Sequence, residues 1–198
     1  MAEYLIYPFK TMRITQSYTG TTSHLPHTTV SPKDYPIDEG GRDGGRDPFY
    51  APCKLKVKKI YGVGNRGTNT LWLESTEKVA LPNGKIDYVT FMLIHPNDSD
   101  LKRLRVGQTF KKGDIVCYEG TDGATGNHIH MAVGMGKMTG SGWTQNDNGK
   151  WVLTCANGTL KPENAFYIDR SFTNVVETKG LKFKNKPAGT SPTKTSST

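Results

Sequence analysis

Basic and apolar residues alternate with period two through Lys54-Leu-Lys-Val-Lys-Lys-Ile-Tyr61, the pattern of a strand with one wet face. Thr70-Leu-Trp-Leu-Glu74 is a second short strand. Pro82-Asn-Gly-Lys85 supplies a turn, after which Ile86 to Ile94 forms a long, largely apolar strand expected at the centre of a sheet. That strand delivers His95 at its exit. Asp98 to Leu104 fits one helical turn, and Val106-Gly-Gln108 and Lys112-Gly-Asp114 read as turns around short strands. Ile115 to Glu119 is the next strand. A glycine-rich loop, Gly120 to Gly126, then leads into a strand over His128 to Val133. Asp147-Asn-Gly149, between Trp143 and Trp151, is placed as a hairpin turn, and both tryptophans are expected to pack in the core. No internal repeat is evident.

Composition supports the same picture. Helix-favouring runs are scarce, while Gly (22), Pro (11), aromatic and β-branched residues are frequent, so a mainly β protein is expected. With 198 residues and 34% apolar side chains, the chain can bury one substantial core. One domain is expected over residues 1–178. Residues 179–198 carry five Lys and no acid, and from Lys186 onward consist of linker-type residues, so a flexible basic tail is expected there.

That tail holds much of the net charge of +8, since residues 1–178 retain only +3. A basic surface favours polyanions, including the anionic polymers of a cell wall. Nucleic acid is not an expected partner, because no recognition helix, zinc-finger spacing or ribonucleoprotein motif appears. Cys53, Cys117 and Cys155 are too scattered for a disulfide framework and read as buried thiols. The opening Met-Ala-Glu-Tyr-Leu-Ile-Tyr-Pro lacks the features of a secretory signal, and no apolar run has transmembrane length.

The candidate chemistry lies in the histidines. In a strand, residues two apart share a face, so His128 and His130 point to one side while Ile129 points to the other. Two imidazoles then share one small volume, where one can ligate zinc while its neighbour moves protons. All five histidines fall in three places: His24 with His27, then His95, then His128 with His130. A carboxylate ligand is available in Asp38, which ends the short apolar stretch Tyr35-Pro-Ile37 and precedes Glu39-Gly-Gly41.

Read in order, these residues resemble the lysostaphin-type zinc endopeptidases of bacteria and their phages. The resemblance covers about residues 12–135. It is carried by Ile37-Asp38 after a histidine, Phe49-Tyr-Ala-Pro52 before a basic-apolar strand, Phe91-Met-Leu-Ile-His95, Val106-Gly-Gln with Lys112-Gly-Asp, and Gly120-Thr-Asp-Gly-Ala-Thr-Gly-Asn-His-Ile-His130. It implies an antiparallel sheet with a groove, short loops and little helix, and cleavage of peptides in bacterial peptidoglycan.

By position, the resemblance makes Asp38 and His130 ligands of Zn²⁺, with an early histidine as the third. His24 is preferred, because Ser23-His24 ends a segment like the family's approach to its ligand; His27 remains the alternative. The family's gap to the aspartate is shorter than the 14 residues from His24 or the 11 from His27. His128 becomes the proton carrier and His95 the group that positions water and stabilises the oxyanion. Thr125 and Asn127 are candidates for substrate binding. The expected setting is phage-mediated lysis or entry, with synthesis in the host cytoplasm, action at the wall after release or from a virion, and a monomeric state. A non-catalytic wall-binding or virion structural module on the same fold is the alternative.

Overall fold

The computed structural model describes residues 2–19, 24, 34–40, 45–65, 67, 69–155 and 159–189. Its frame is one sheet built from β1 (Thr11–Gln16), β2 (Ile37–Glu39), β3 (Leu55–Tyr61), β4 (Thr70–Ser75), β5 (Val89–Ile94) and β6 (Ile129–Met135). In space the order is β3, β4, β5, β6, β2, β1, with each neighbouring pair antiparallel. Thr109–Phe110 extends the β3 edge antiparallel, and Asn174–Glu177 extends the β1 edge in parallel. A hairpin of β7 (Trp143–Gln145) and β8 (Trp151–Leu153) stands apart as its own two-stranded sheet. Among the described residues, helix is confined to two four-residue elements, α1 (Asp98–Leu101) and α2 (Pro162–Ala165). The expectation of a mainly β, antiparallel protein with little helix holds.

Strand periodicity divides the sheet into two unlike faces. Leu71, Leu73, Phe91, Leu93, Ile129, Met131, Val133 and Ile37 turn to one side and join the large core with Leu5, Tyr7, Phe9, Phe49 and Phe166. Trp72, Met92, Ile94 and Ala132 turn to the other side and form a smaller cluster with Leu153 and Cys155. Cross-strand register fixes these assignments, because directly opposed residues of an antiparallel pair share a face. The second face also carries His130 and Asp38, which the register sets beside Ile94.

The cover over this smaller cluster is pinned by polar contacts. Trp72 Nε1 donates to the Thr154 carbonyl at 3.0 Å, and Met138 N–H donates to the buried Glu74 carboxylate at 2.8 Å. Asp34 accepts from Cys155 N–H at 3.1 Å and from the Thr154 hydroxyl at 3.3 Å. Burial raises the Asp34 carboxyl to about 7, because those two hydrogen bonds do not replace its lost hydration. The three cysteines are free and buried.

Several boundaries differ from the sequence expectations. The strand expected over Ile86 to Ile94 is broken at Tyr88 into Ile86–Asp87 and β5. Asp87 Oδ1 takes the Tyr88 N–H at 2.8 Å, and the chain changes partner there, from Val79–Ala80 to β4 and β6. The packed region also continues past residue 178. Phe183 meets Tyr7 at 6.0 Å between ring centroids, and Lys184–Asn185 pairs in parallel with Tyr167–Ile168. Residues 190–198 of the expected tail lie outside the described residues. Trp151 is 61% exposed, not buried, since the hairpin packs through Leu153 and Trp143.

Candidate active site

β2 is only three residues long, and alternation does the placing. Ile37 enters the large core, Glu39 is buried against Tyr7 Oη and the Arg13 N–H, and Asp38 between them faces the opposite side. The register sets His130 opposite Asp38 on one flank and opposite Ile94 on the other. His24 comes in from outside the sheet. Its Nε2 lies 3.1 Å from Asp38 Oδ1 and 3.2 Å from His130 Nδ1, and His130 Nδ1 lies 3.1 Å from Asp38 Oδ1. Three donor atoms therefore form a nearly equilateral triangle. His24, Asp38 and His130 together make a group that could hold a metal ion. His27 lies outside the described residues.

Hydrogen bonding around the triangle favours a cation at its face. His24 Nδ1 is 2.7 Å from the Ser17 carbonyl, an acceptor, so Nδ1 carries the hydrogen and a neutral ring turns the Nε2 lone pair toward the triangle. That lone pair meets the Asp38 carboxylate oxygen, a contact that is attractive only with a proton or a cation between them. Burial holds the His130 ring below its usual pKa despite the nearby Asp38 charge, and His130 Nε2 is buried with no partner among the described residues. Burial alone would raise the Asp38 carboxyl. Hydrogen bonds and charge from His130 and His24 outweigh it and hold the group well below the usual carboxylate range.

The size also fits. Edges of 3.1–3.2 Å approach the separation of about 3.3 Å between ligand atoms of a tetrahedral zinc site with bonds of about 2.0–2.1 Å. Two imidazoles and one carboxylate are the donor set of a catalytic zinc site that keeps a position open. The residues present fit Zn²⁺.

Two further histidines border the triangle. His128 precedes β6 and pairs with Gly120 through two backbone hydrogen bonds of 3.1 and 3.2 Å. Its Nδ1 donates to the Gly126 carbonyl at 2.9 Å, leaving Nε2 as the free lone pair, 3.9 Å from Asp38 Oδ1. His95 follows β5 in the left-handed backbone region, at φ 82°, where a non-glycine residue is strained. Its Nδ1 donates to the Asp122 carbonyl at 2.7 Å, and its ring lies 4.5 Å from that of His128. Burial, followed by the charge of His128, lowers His95 to about 4.

With Nδ1–H given to the Asp122 carbonyl, Nε2 is the ring atom of His95 left for the site. Thr125 is exposed in the glycine-rich loop, and Asn127 is half-buried immediately before His128.

Supporting residues were missed in the sequence. The Asp122 carboxylate accepts from Gly67 N–H and Asn69 N–H at 2.8–3.0 Å, and the Asn69 carbonyl accepts from His95 N–H at 3.1 Å. Asn69 Nδ2 donates to the Pro96 carbonyl and to Asp98. His95 is thus clasped on both sides. Asp122-Gly123 reads locally as a turn, and nothing in that dipeptide announces a bond to residue 95. Gly120 is required by contact, since a Cβ there would lie 2.2 Å from the His95 carbonyl oxygen.

Comparison with protein-family models and with curated proteins finds no match. Among solved structures the chain is similar to Csd3 of Helicobacter pylori, at 18% identity and a TM-score of 0.41 over 68% of this chain and 30% of that one. It is also similar to a zinc-containing peptidase from Vibrio cholerae, at 19% identity and 0.42 over 68% and 37% of the two chains. The catalytic domain of the antimicrobial peptidase lysostaphin from Staphylococcus simulans matches at 16% identity and 0.35, over 67% and 80%. The matched region spans about a third of the first two proteins. Among the described residues, no helix is long and apolar enough to cross a membrane.

Proposed function

We propose that this protein is a zinc-dependent endopeptidase that cleaves peptide bonds of bacterial peptidoglycan, acting in phage-mediated lysis or entry. The observation that carries the proposal is the triangle of His24 Nε2, Asp38 Oδ1 and His130 Nδ1, bordered by two histidines whose free nitrogens are both Nε2. His24, Asp38 and His130 would hold the zinc. When bound, it supplies Lewis acidity to the scissile carbonyl and lowers the pKa of water toward about 7.

The chain's own groups handle the protons. With Nδ1–H committed to Gly126, His128 Nε2 is the base that takes the proton from water and returns it to the leaving amine. His95 Nε2, uncharged and facing the same space, accepts a hydrogen bond from that water and orients it. Asp38 stays ionised throughout and balances the positive charge. Thr125, exposed in the loop, and half-buried Asn127 would contact substrate, and the basic surface favours retention on anionic wall polymers.

The test is digestion of purified peptidoglycan, with the released fragments analysed by mass spectrometry. Zinc-loaded protein should create new peptide amino and carboxyl termini, chelation should stop their formation, and added zinc should restore it. Fragments with intact peptides, or none from zinc-loaded protein, would refute the proposal.

A further inference from the structure

His95 stands one residue past the end of its strand. β4 begins at Thr70 and β5 ends at Ile94, so their ladder closes on the Thr70–Ile94 pair. Beyond that pair the backbone enters the left-handed region, at φ 82°, a conformation that persists only where the surroundings over-determine it. The ring depends on that backbone for its place, with its centroid 4.5 Å from that of His128 and 6.3 Å from that of His130.

What holds His95 is a closed circuit of hydrogen bonds among three residues distant in sequence. His95 N–H donates to the Asn69 carbonyl at 3.1 Å, and Asn69 N–H donates to the Asp122 carboxylate at 2.8 Å. Asp122 closes the circuit twice: its carbonyl accepts His95 Nδ1–H at 2.7 Å, and its N–H donates to the His95 carbonyl at 3.3 Å. Asn69 is fully buried, and its Nδ2 donates to the carbonyl of Pro96, the residue after His95. The Asp122 carboxylate also accepts Gly67 N–H, at 2.9 and 3.0 Å to its two oxygens. Next to it Gly123 lies backbone to backbone on Gly67, since a Cβ there would come within 2.7 Å of the Gly67 Cα. Hydrogen bonds to an ionised carboxylate are about twice as strong as neutral ones, so the Asp122 side chain supplies strong ties between residues 67–69 and the glycine-rich loop.

We infer that Asp122 is a positioning residue: its carboxylate, by gripping residues 67 and 69, fixes its own carbonyl against His95 Nδ1 and holds the His95 ring in one tautomer, with Nε2 left for the site. This rests on the proposed role of His95 in peptide hydrolysis and adds to it a residue that is not a ligand of the candidate zinc site. Two parts of one residue divide the work. The side chain binds the neighbouring loop, and the backbone of the same residue binds the ring. Loss of the carboxylate therefore leaves both atoms that bond His95 in the chain but frees them to move, and the hydrogen bond that sets the tautomer goes with them.

The test compares the full zinc-loaded chain with its Asp122→Ala and Asp122→Asn variants. Asparagine keeps an oxygen for the two N–H groups but not the charge. Ring nitrogens are followed by long-range proton–nitrogen correlation spectra at about pH 8, above the usual imidazole pKa, with His95 assigned from a His95→Asn variant. The wild-type chain should show His95 as the pure Nδ1–H tautomer. Asp122→Ala should show mixed tautomers at His95 with zinc content at the wild-type level, and Asp122→Asn the same change at smaller amplitude. On a soluble peptidoglycan fragment, kcat should fall about ten- to a hundredfold in Asp122→Ala with KM within about twofold, since misplacing a group by about 1 Å costs up to that much. Mixed tautomers in the wild-type chain, a pure Nδ1–H tautomer in every folded variant, or a loss carried by KM with kcat unchanged would overturn the inference. If Asp122→Ala does not fold, Asp122→Asn decides on the same readouts. If the wild-type chain cuts nothing, the endopeptidase proposal fails, and the tautomer spectra alone decide whether Asp122 holds His95.

Discussion

Replacing Asp34 by Asn should make the protein more stable at pH 8 while changing little at pH 4. Asp34 is 6% exposed, and burial raises its carboxyl from the usual 3.8 to about 7. Between those values the folded protein keeps a proton that the unfolded chain releases, so stability falls as pH rises through this window. A tenfold change in proton affinity is about 1.4 kcal/mol, so the ceiling on the loss is about 4 kcal/mol. Asparagine mimics the protonated acid. Its carbonyl can still accept from Cys155 N–H, its NH2 can donate to the Thr154 hydroxyl oxygen as the acid's O–H does, and it has no charge to bury. Urea unfolding of both proteins at half-unit steps from pH 4 to pH 8 would give the difference directly, because other titrating groups cancel. The variant should gain with pH by about 1–4 kcal/mol, nearly all of it between pH 4 and 7. A constant difference between the two proteins, or a growing disadvantage of the variant, would refute the reasoning.

Other consequences are as direct. His128→Ala should retain zinc by metal analysis but lose about 10²–10⁴-fold in kcat, since it removes the proton carrier and no ligand; retained digestion would reject that role. Gly120→Ala must move the loop by about 1 Å to clear the His95 carbonyl, so kcat/KM should drop about a hundredfold with a stability loss of about 1–3 kcal/mol in urea unfolding. Phe183→Ala should cost about 1–2 kcal/mol by the same assay, as the ring packs on Tyr7; no change would restore a domain boundary near residue 178.

Much of the frame was legible because it is local. Period-two alternation in Lys54 to Tyr61 and the apolar run at Thr70 to Glu74 give β3 and β4 within a residue of their observed ends. The shared face of His128 and His130 follows from the same alternation, although β6 itself begins at Ile129. What stayed hidden depends on contacts distant in sequence. The register that sets Asp38 beside His130, and His130 beside Ile94, links strands that no local window joins. Tyr88 breaks a continuous apolar run because a neighbouring carboxylate captures its N–H. Asp34 has the same letters around it as any turn acid, and its burial comes from residues 154 and 155. The orientation of the His95 ring likewise depends on which carbonyl faces its Nδ1, and that carbonyl belongs to Asp122.

The central claim is that His24, Asp38 and His130 are one zinc site. It is tested most directly by titrating zinc into metal-free protein and into its Asp38→Ala variant, with bound metal read by competition against a chromophoric chelator. The account predicts one tight equivalent for the wild-type chain and loss of that equivalent in a variant that remains folded. A wild-type chain that takes up no zinc, or a variant that binds it as tightly, would contradict it.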